Sequence, residues 1–117
     1  MVDFEHEQKI DTEQLKEAID QHKVKVVEVM PAKMYEKEHI ETAINIPLTE
    51  LKELAPKLLK KDENIVVYCS DIDCIASPAA ARMLREMGHN KVLDYEEGKI
   101  AWKKAGLPME RGKLEED

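Results

Sequence analysis

The segment Asn64–Met87, NIVVYCSDIDCIASPAAARMLREM, constrains the fold of this chain more than any other stretch. It opens with Ile65, Val66, Val67 and Tyr68, an apolar, β-branched run of the length of a buried strand. It closes with Ala80, Met83, Leu84 and Met87, spaced i, i+3, i+4, i+7, which is one face of a helix. Between the two lies a loop with a cysteine at each end of a four-residue gap, Cys69-Ser70-Asp71-Ile72-Asp73-Cys74, followed by Ile75 and Ala76. Ser77 and Pro78 read as an N-cap and the first helical residue. A strand that stops at a cysteine and feeds a cleanly started helix is a way to build a thiolate site. The unpaired N–H groups and positive dipole end of the helix favour an anion in the loop, and the thiolate is the reactive form of cysteine.

With 117 residues the chain is one domain's worth, able to bury roughly two-thirds of its unfolded surface. The charged fraction of 37% predicts a densely charged, soluble surface. A net charge of −7 argues against nucleic acid or an anionic membrane as partner, and discourages small anionic substrates unless positive charge is concentrated locally. No apolar run approaches a membrane span, and the start, MVDFEHEQK, lacks a signal-peptide core, so the cytoplasm is the expected compartment. Two neighbouring cysteines in an intracellular chain point to reactivity or redox activity rather than a structural staple.

The rest of the chain alternates strand and helix patterns. Val2–Ile10 offers a short first strand. Asp11 with Gln14 forms a capping box for a helix whose stripe is Leu15, Ala18 and Ile19. Val24–Met30 reads as a strand ending before Pro31. A polar connection to Glu41 follows, with a helical turn around Met34, Tyr35 and Glu36, and then a short apolar run, Ala43–Ile46. Thr49 is a candidate cap for a helix bearing Leu51, Leu54, Leu58 and Leu59, which Pro56 should bend or split. Beyond the central segment, Gly88 ends the helix, Lys91–Asp94 reads as the last strand, and Gly98–Ala105 as the last helix. The expectation is one domain over residues 1–108 with a charged, mobile tail over 109–117. This order predicts an α/β fold with a parallel sheet covered on both faces, in which ligands gather at the carboxyl ends of strands, where Cys69 lies.

Three signatures, spanning roughly Ile10 to Pro108, resemble the rhodanese homology domain. The first is Glu28-Val29-Met30, Tyr35, Glu38-His39-Ile40 and Ala43-Ile44-Asn45-Ile46-Pro47. The second is the strand ending Val66-Val67-Tyr68-Cys69 ahead of an active-site loop. The third is Gly98, Trp102 and Gly106-Leu107-Pro108. The resemblance implies a three-layer α/β/α fold with a central, mainly parallel sheet of about five strands. It also implies a sulfurtransferase that carries sulfane sulfur as a cysteine persulfide, with Cys69 at the family's catalytic position and no cofactor. Two departures stand out. The loop has no arginine between Cys69 and Arg82, and Met30 stands where the family's Asp-x-Arg has its arginine. The loop is about two residues longer than the common form and resembles a two-cysteine variant, Tyr-Cys…Cys-x-x-Ser.

Sulfur transfer needs a thiol of lowered pKa, a cradle of N–H groups and open access. Cys69 is the first candidate carrier; Cys74, nearer the helix start, is the second, and either resolves the other's persulfide as a disulfide. Ser70, Asp71, Ile72, Asp73, Ile75, Ala76 and Ser77 make up the substrate-binding loop. Asp71 and Asp73 oppose an anion, each by on the order of 1 kcal/mol, so thiosulfate should be a poor donor. The expected partners are a sulfane-sulfur donor and a thiol acceptor, small molecule or protein. Plainer readings stand beside these: Cys69 as an inert strand-end residue, Cys74 as loop filler, Ser77 as a helix cap, His39 as a loop-orienting group. Trp102, Tyr35 and Met83 read as core, and Glu96 with Glu97 as a solvated face. The competing function is a non-catalytic or redox-regulatory module built on a Cys69–Cys74 disulfide. A phosphatase-like site lacks the arginine to clamp phosphate, and a zinc site lacks a second ligand pair.

Overall fold

The computed structural model describes residues 2–112. Its helices and strands are α1 (Thr12–Asp20), β1 (Lys25–Glu28), α2 (Ala32–Lys37), β2 (His39–Ile40) and β3 (Ile44–Asn45). After a 3₁₀ turn over Leu48–Glu50 come α3 (Leu51–Leu58), β4 (Ile65–Tyr68), α4 (Ala76–Glu86), β5 (Val92–Tyr95), α5 (Gly98–Lys104) and β6 (Met109–Glu110). The central sheet has the order β3-β1-β4-β5 with every pair parallel. Its four strands gain a one-residue extension, a parallel bridge from Lys9 to Asp94, which is what the expected first strand amounts to. Asp94 N–H donates to the Gln8 carbonyl and Ile10 N–H to the Asp94 carbonyl, and pairing ends there.

Alternation along the strands sorts the core into two faces. Val26, Val66, Tyr68, Leu93 and Tyr95 pack with α1 and with Trp102 of α5 on one side. Val27, Ile65, Val67, Cys69 and Val92 pack with α3 and α4 on the other. Helices on both faces explain why β4 is apolar at every position: it is the buried centre of a parallel sheet. The expected three-layer α/β/α architecture is therefore the observed one.

Local expectations fared unevenly. The Asp11–Gln14 capping box forms at the start of α1, and Gly88, at φ +100°, follows the C-cap of α4. Thr49 does not cap α3; it lies inside the 3₁₀ turn, and the residue before α3 is Glu50. Pro56 neither splits nor ends α3. Pro56 and Lys52, whose carbonyl loses its helical donor, both lie on the exposed side, so the freed acceptor is open to water. The segment expected to be a mobile tail from residue 109 is drawn back at its start. Met109 and Glu110 pair antiparallel with Ile40 and His39, and Met109 packs against the core. Residues 113–117 of that segment lie outside the described residues.

Candidate active site at the cysteine loop

Parallel strands in register end at the same level, so the residues just past each strand gather along one edge of the sheet. Glu28 pairs with Tyr68 on one side and with Asn45 on the other. The segments leaving β1, β3 and β4 therefore converge. Cys69 is the first residue past β4 and is buried, 1% exposed, on the α3/α4 face. The loop then doubles back: Asp73 N–H donates to the Asp71 carboxylate (3.1 Å) and Cys74 N–H to the Asp71 carbonyl (3.1 Å), a turn in which the aspartate side chain stands in for backbone. That turn brings Cys74 onto Cys69, and the two form a disulfide with their Cα atoms 6.3 Å apart.

The sulfur pair opens onto a cleft of about 370 Å³. One wall is residues 29–32 after β1, the other residues 47–50 after β3, and Ala76 at the start of α4 closes the end. Val29, Met30, Pro31, Ala32, Pro47 and Leu48 make the walls apolar, and Glu50 is the one charged residue in the lining. Ile72 and Ile75 are 64% and 83% exposed on the same loop, while Ser70 and Asp71 are half-buried and Asp73 faces solvent.

The start of α4 differs from expectation. The helix begins at Ala76 after Ile75, and no side chain caps it. Ser77 is its second residue, buried at 1% exposure, and it makes no capping bond to the helix's own amides; its hydroxyl acts instead to lower the pKa of Asp94 on β5. Pro78 therefore sits at the third helical position, where its missing N–H leaves no helical bond unmade. It does remove one of the amides that a helix N-terminus offers to an anion, leaving those of Ala76 and Ser77.

A second helix holds the loop from behind. The N–H groups of Lys99 and Ile100, orphans of the first turn of α5, donate to the carbonyls of Cys69 and Ser70 at 2.9 Å each. So close an approach requires Gly98. Its φ is +78°, and a Cβ there would fall 2.7 Å from the Ser70 carbonyl and the Asp71 nitrogen.

Beneath this contact lies a buried charge pair that the sequence did not flag. Glu28 is wholly buried, and the Lys99 ammonium sits 2.9 Å from its carboxylate. The same ammonium donates to the carbonyls of Glu38 (2.7 Å) and Met34 (3.2 Å). Tyr68 donates its hydroxyl to Glu28 at 2.7 Å and accepts from the Ile40 N–H at 3.0 Å. Burial raises the Glu28 pKa, opposed by the Tyr68 and Lys99 hydrogen bonds. Burial, then the Glu28 charge, pushes the Tyr68 phenol far up, so it stays a donor. A signal for Lys99 existed in its spacing: it precedes the buried Trp102 by three, which puts a cation on the inward face of α5 and demands an anion there.

Other candidates fall where the plainer readings put them. His39 is buried, stacked on Tyr35 with ring centroids 3.7 Å apart, and its Nδ1 lies 2.8 Å from the Tyr35 carbonyl; it does not line the cleft. Trp102 is fully buried and donates Nε1–H to the Pro108 carbonyl at 2.9 Å. Tyr35 belongs to the core on the α1/α5 face, and Met83 packs half-buried against the core on the other. Among the described residues no group of three His, Cys, Asp or Glu side chains is arranged to hold a metal ion. No helix among them is long and apolar enough to cross a membrane.

Comparison with known proteins agrees with this geometry. The HTH-type transcriptional regulator Rv0324 of Mycobacterium tuberculosis is 38% identical over 89 residues, covering 76% of this chain and 38% of the regulator. Thiosulfate sulfurtransferase PspE of Escherichia coli is 37% identical over 67 residues, 56% of this chain and 62% of that protein. The chain thus spans less than two thirds of the length of these curated relatives. Among solved structures, the BH2092 protein of Bacillus halodurans superposes with a TM-score of 0.83 at 29% identity, over 89% of this chain and 77% of that one. A rhodanese-related protein of Thermoplasma volcanium gives 0.77 at 30% identity, over 89% and 98%. The family model described as Rhodanese-like domain matches residues 11–105, from the cap of α1 to the end of α5, and the chain belongs to that family.

Proposed function

We propose that this chain is a sulfurtransferase that carries sulfane sulfur as a persulfide on Cys69, with Cys74 as the resolving thiol. The observation that supports it most is the position of the two sulfurs: at the carboxyl end of the central strand, in bonding contact with each other and open to one cleft. Starting from the dithiol, the Cys69 thiolate attacks the outer sulfur of a donor R–S–SH. A new S–S bond forms on Cys69, the donor's S–S bond breaks, and its electron pair leaves as R–S⁻. The persulfide then passes its outer sulfur to a thiol acceptor. Alternatively, the Cys74 thiolate attacks the Cys69 sulfur, giving the disulfide and HS⁻. In that branch the sulfane sulfur is reduced to sulfide by the two cysteines, and no outside oxidant is needed. A low-molecular-weight thiol reopens the disulfide, which a cytoplasmic location supplies.

Intact-mass analysis after exposing the reduced protein, Cys69→Ser and Cys74→Ser to several sulfane donors tests this. Cys74→Ser should gain and keep the mass of one sulfur atom, and Cys69→Ser should gain none. Loading that persists in Cys69→Ser, or is absent from all three proteins, refutes the assignment. A second reading is favoured by the disulfide itself: a redox-responsive module without turnover, in keeping with the relative named as a transcriptional regulator. A cytosolic-range reduction potential with no sulfur loading would select it.

A further inference from the structure

We infer that the sulfur donor is an organic persulfide with an uncharged, apolar substituent, selected by the cleft beside the two cysteines; this rests on the sulfur-carrier reading above. Three observations carry it. The cleft holds no lysine, arginine or histidine, and apart from the two cysteines its one ionisable side chain is the carboxylate of Glu50. Met30, on the segment after β1, lines one wall and brings no charge to it. The anion-binding capacity of α4 is itself reduced, since Pro78 at its third position withholds an amide and no side chain caps the helix.

A charged substituent entering such a site loses its hydration and, if negative, meets a like charge in place of a partner. An apolar substituent gains by the same desolvation. A volume near 370 Å³ is at the small end of ligand pockets, enough for a substituent the size of a single ring. Selection therefore acts on the group attached to the transferred sulfur. The step is Cys69–S⁻ + R–S–SH → Cys69–S–SH + R–S⁻, in which the thiolate's electron pair makes the new S–S bond and the donor's S–S bond yields the leaving thiolate.

Single-turnover measurements on the reduced protein separate the possibilities, using benzyl hydropersulfide, glutathione persulfide and thiosulfate. The readout is the rate at which the desulfurised product appears: phenylmethanethiol, glutathione or sulfite. The two persulfides share one reacting head, so their ratio reports the substituent alone. We expect benzyl hydropersulfide to react at least tenfold faster than either charged donor. Met30→Lys, and independently the solvent-side change Glu50→Gln, should narrow that ratio several-fold. Equal rates, or faster reaction with the charged donors, overturn the inference and leave the carrier reading standing. No reaction with any donor overturns both. An unchanged ratio in both variants overturns the role given to the cleft.

Discussion

Replacing Lys99 with methionine should make the stability of this protein steeply dependent on pH, by an amount the structure bounds. Lys99 is 8% exposed, and its ammonium is the counter-charge of the wholly buried Glu28. With Lys99 gone, Glu28 keeps the Tyr68 hydroxyl, and the Glu38 and Met34 carbonyls lose a donor. Breaking a buried pair from one side costs about 3–5 kcal/mol. Protonation sets a ceiling on the charge part of that cost. A glutamate with an ordinary pKa of 4.5 in the unfolded chain that folds protonated costs about 3.4 kcal/mol at pH 7 and about 0.7 kcal/mol at pH 5. The sign is set by a raised folded-state pKa. The stability tied to that proton is complete below the unfolded value near 4.5 and is lost as pH climbs through the folded pKa. The deficit of Lys99→Met relative to the parent should thus grow by up to about 1.4 kcal/mol per pH unit between pH 5 and pH 7. The single tryptophan, Trp102, is buried and reports unfolding in urea by fluorescence. Adding Glu28→Gln to Lys99→Met should flatten the pH dependence. A deficit that is the same at pH 5 and pH 7 refutes the assignment of Glu28 as the titrating group.

Gly98→Ala should cost more than about 2 kcal/mol and weaken sulfur loading, because the added methyl meets the Ser70 and Asp71 backbone in a left-handed conformation; thermal unfolding and mass analysis on one sample check both. Reducing the Cys69–Cys74 bond, which closes a short loop with a sequence separation of 5, should lower stability by about 2 kcal/mol, read from urea midpoints with and without reductant. Asp94 is 5% exposed with Oδ1 unpartnered, and burial raises its pKa against the pull of Ser77, so its charge weighs on the fold increasingly as pH rises through that pKa. Asp94→Asn should therefore be more stable than the parent at neutral pH, by about 1 kcal/mol, with the advantage shrinking in acid. An advantage that does not change with pH would contradict this.

What the sequence made legible was whatever a single element decides for itself. β4 announces its burial by being apolar throughout, α1 carries its own capping box, and the stripe of α4 points to the layer it joins. Cys69 could be placed at a strand end because the apolar run stops there. The misses share a different cause. Ser-Pro has the local meaning of a helix cap, yet the helix starts one residue before Ser77, which is buried and caps nothing. Thr49 and Pro56 were likewise overruled by a 3₁₀ turn and by which side of α3 faces water. Lys99 and Glu28 are 71 residues apart, and nothing local to either says that they meet.

The chemistry of the cleft is the furthest from local reading, and the strand order explains why. With β1 between β3 and β4, and neighbouring parallel strands about 4.8 Å apart, the first residues past each strand lie side by side. The wall facing the sulfurs is thus written at Val29–Ala32 and at Pro47–Glu50, some twenty to forty residues before Cys69. Each segment alone is an ordinary connection. Only the sheet assembles them, and the assembled wall lacks a cation. The loop acids Asp71 and Asp73 pointed away from anions, but Asp71 serves mainly to close the turn that seats Cys74. On the proposed carrier reading, donor preference follows the walls more than the loop. Removing the acid at Asp73, which faces solvent, should change the ratio of benzyl hydropersulfide to thiosulfate rates less than Met30→Lys does. A larger effect from Asp73→Asn would return the specificity to the loop.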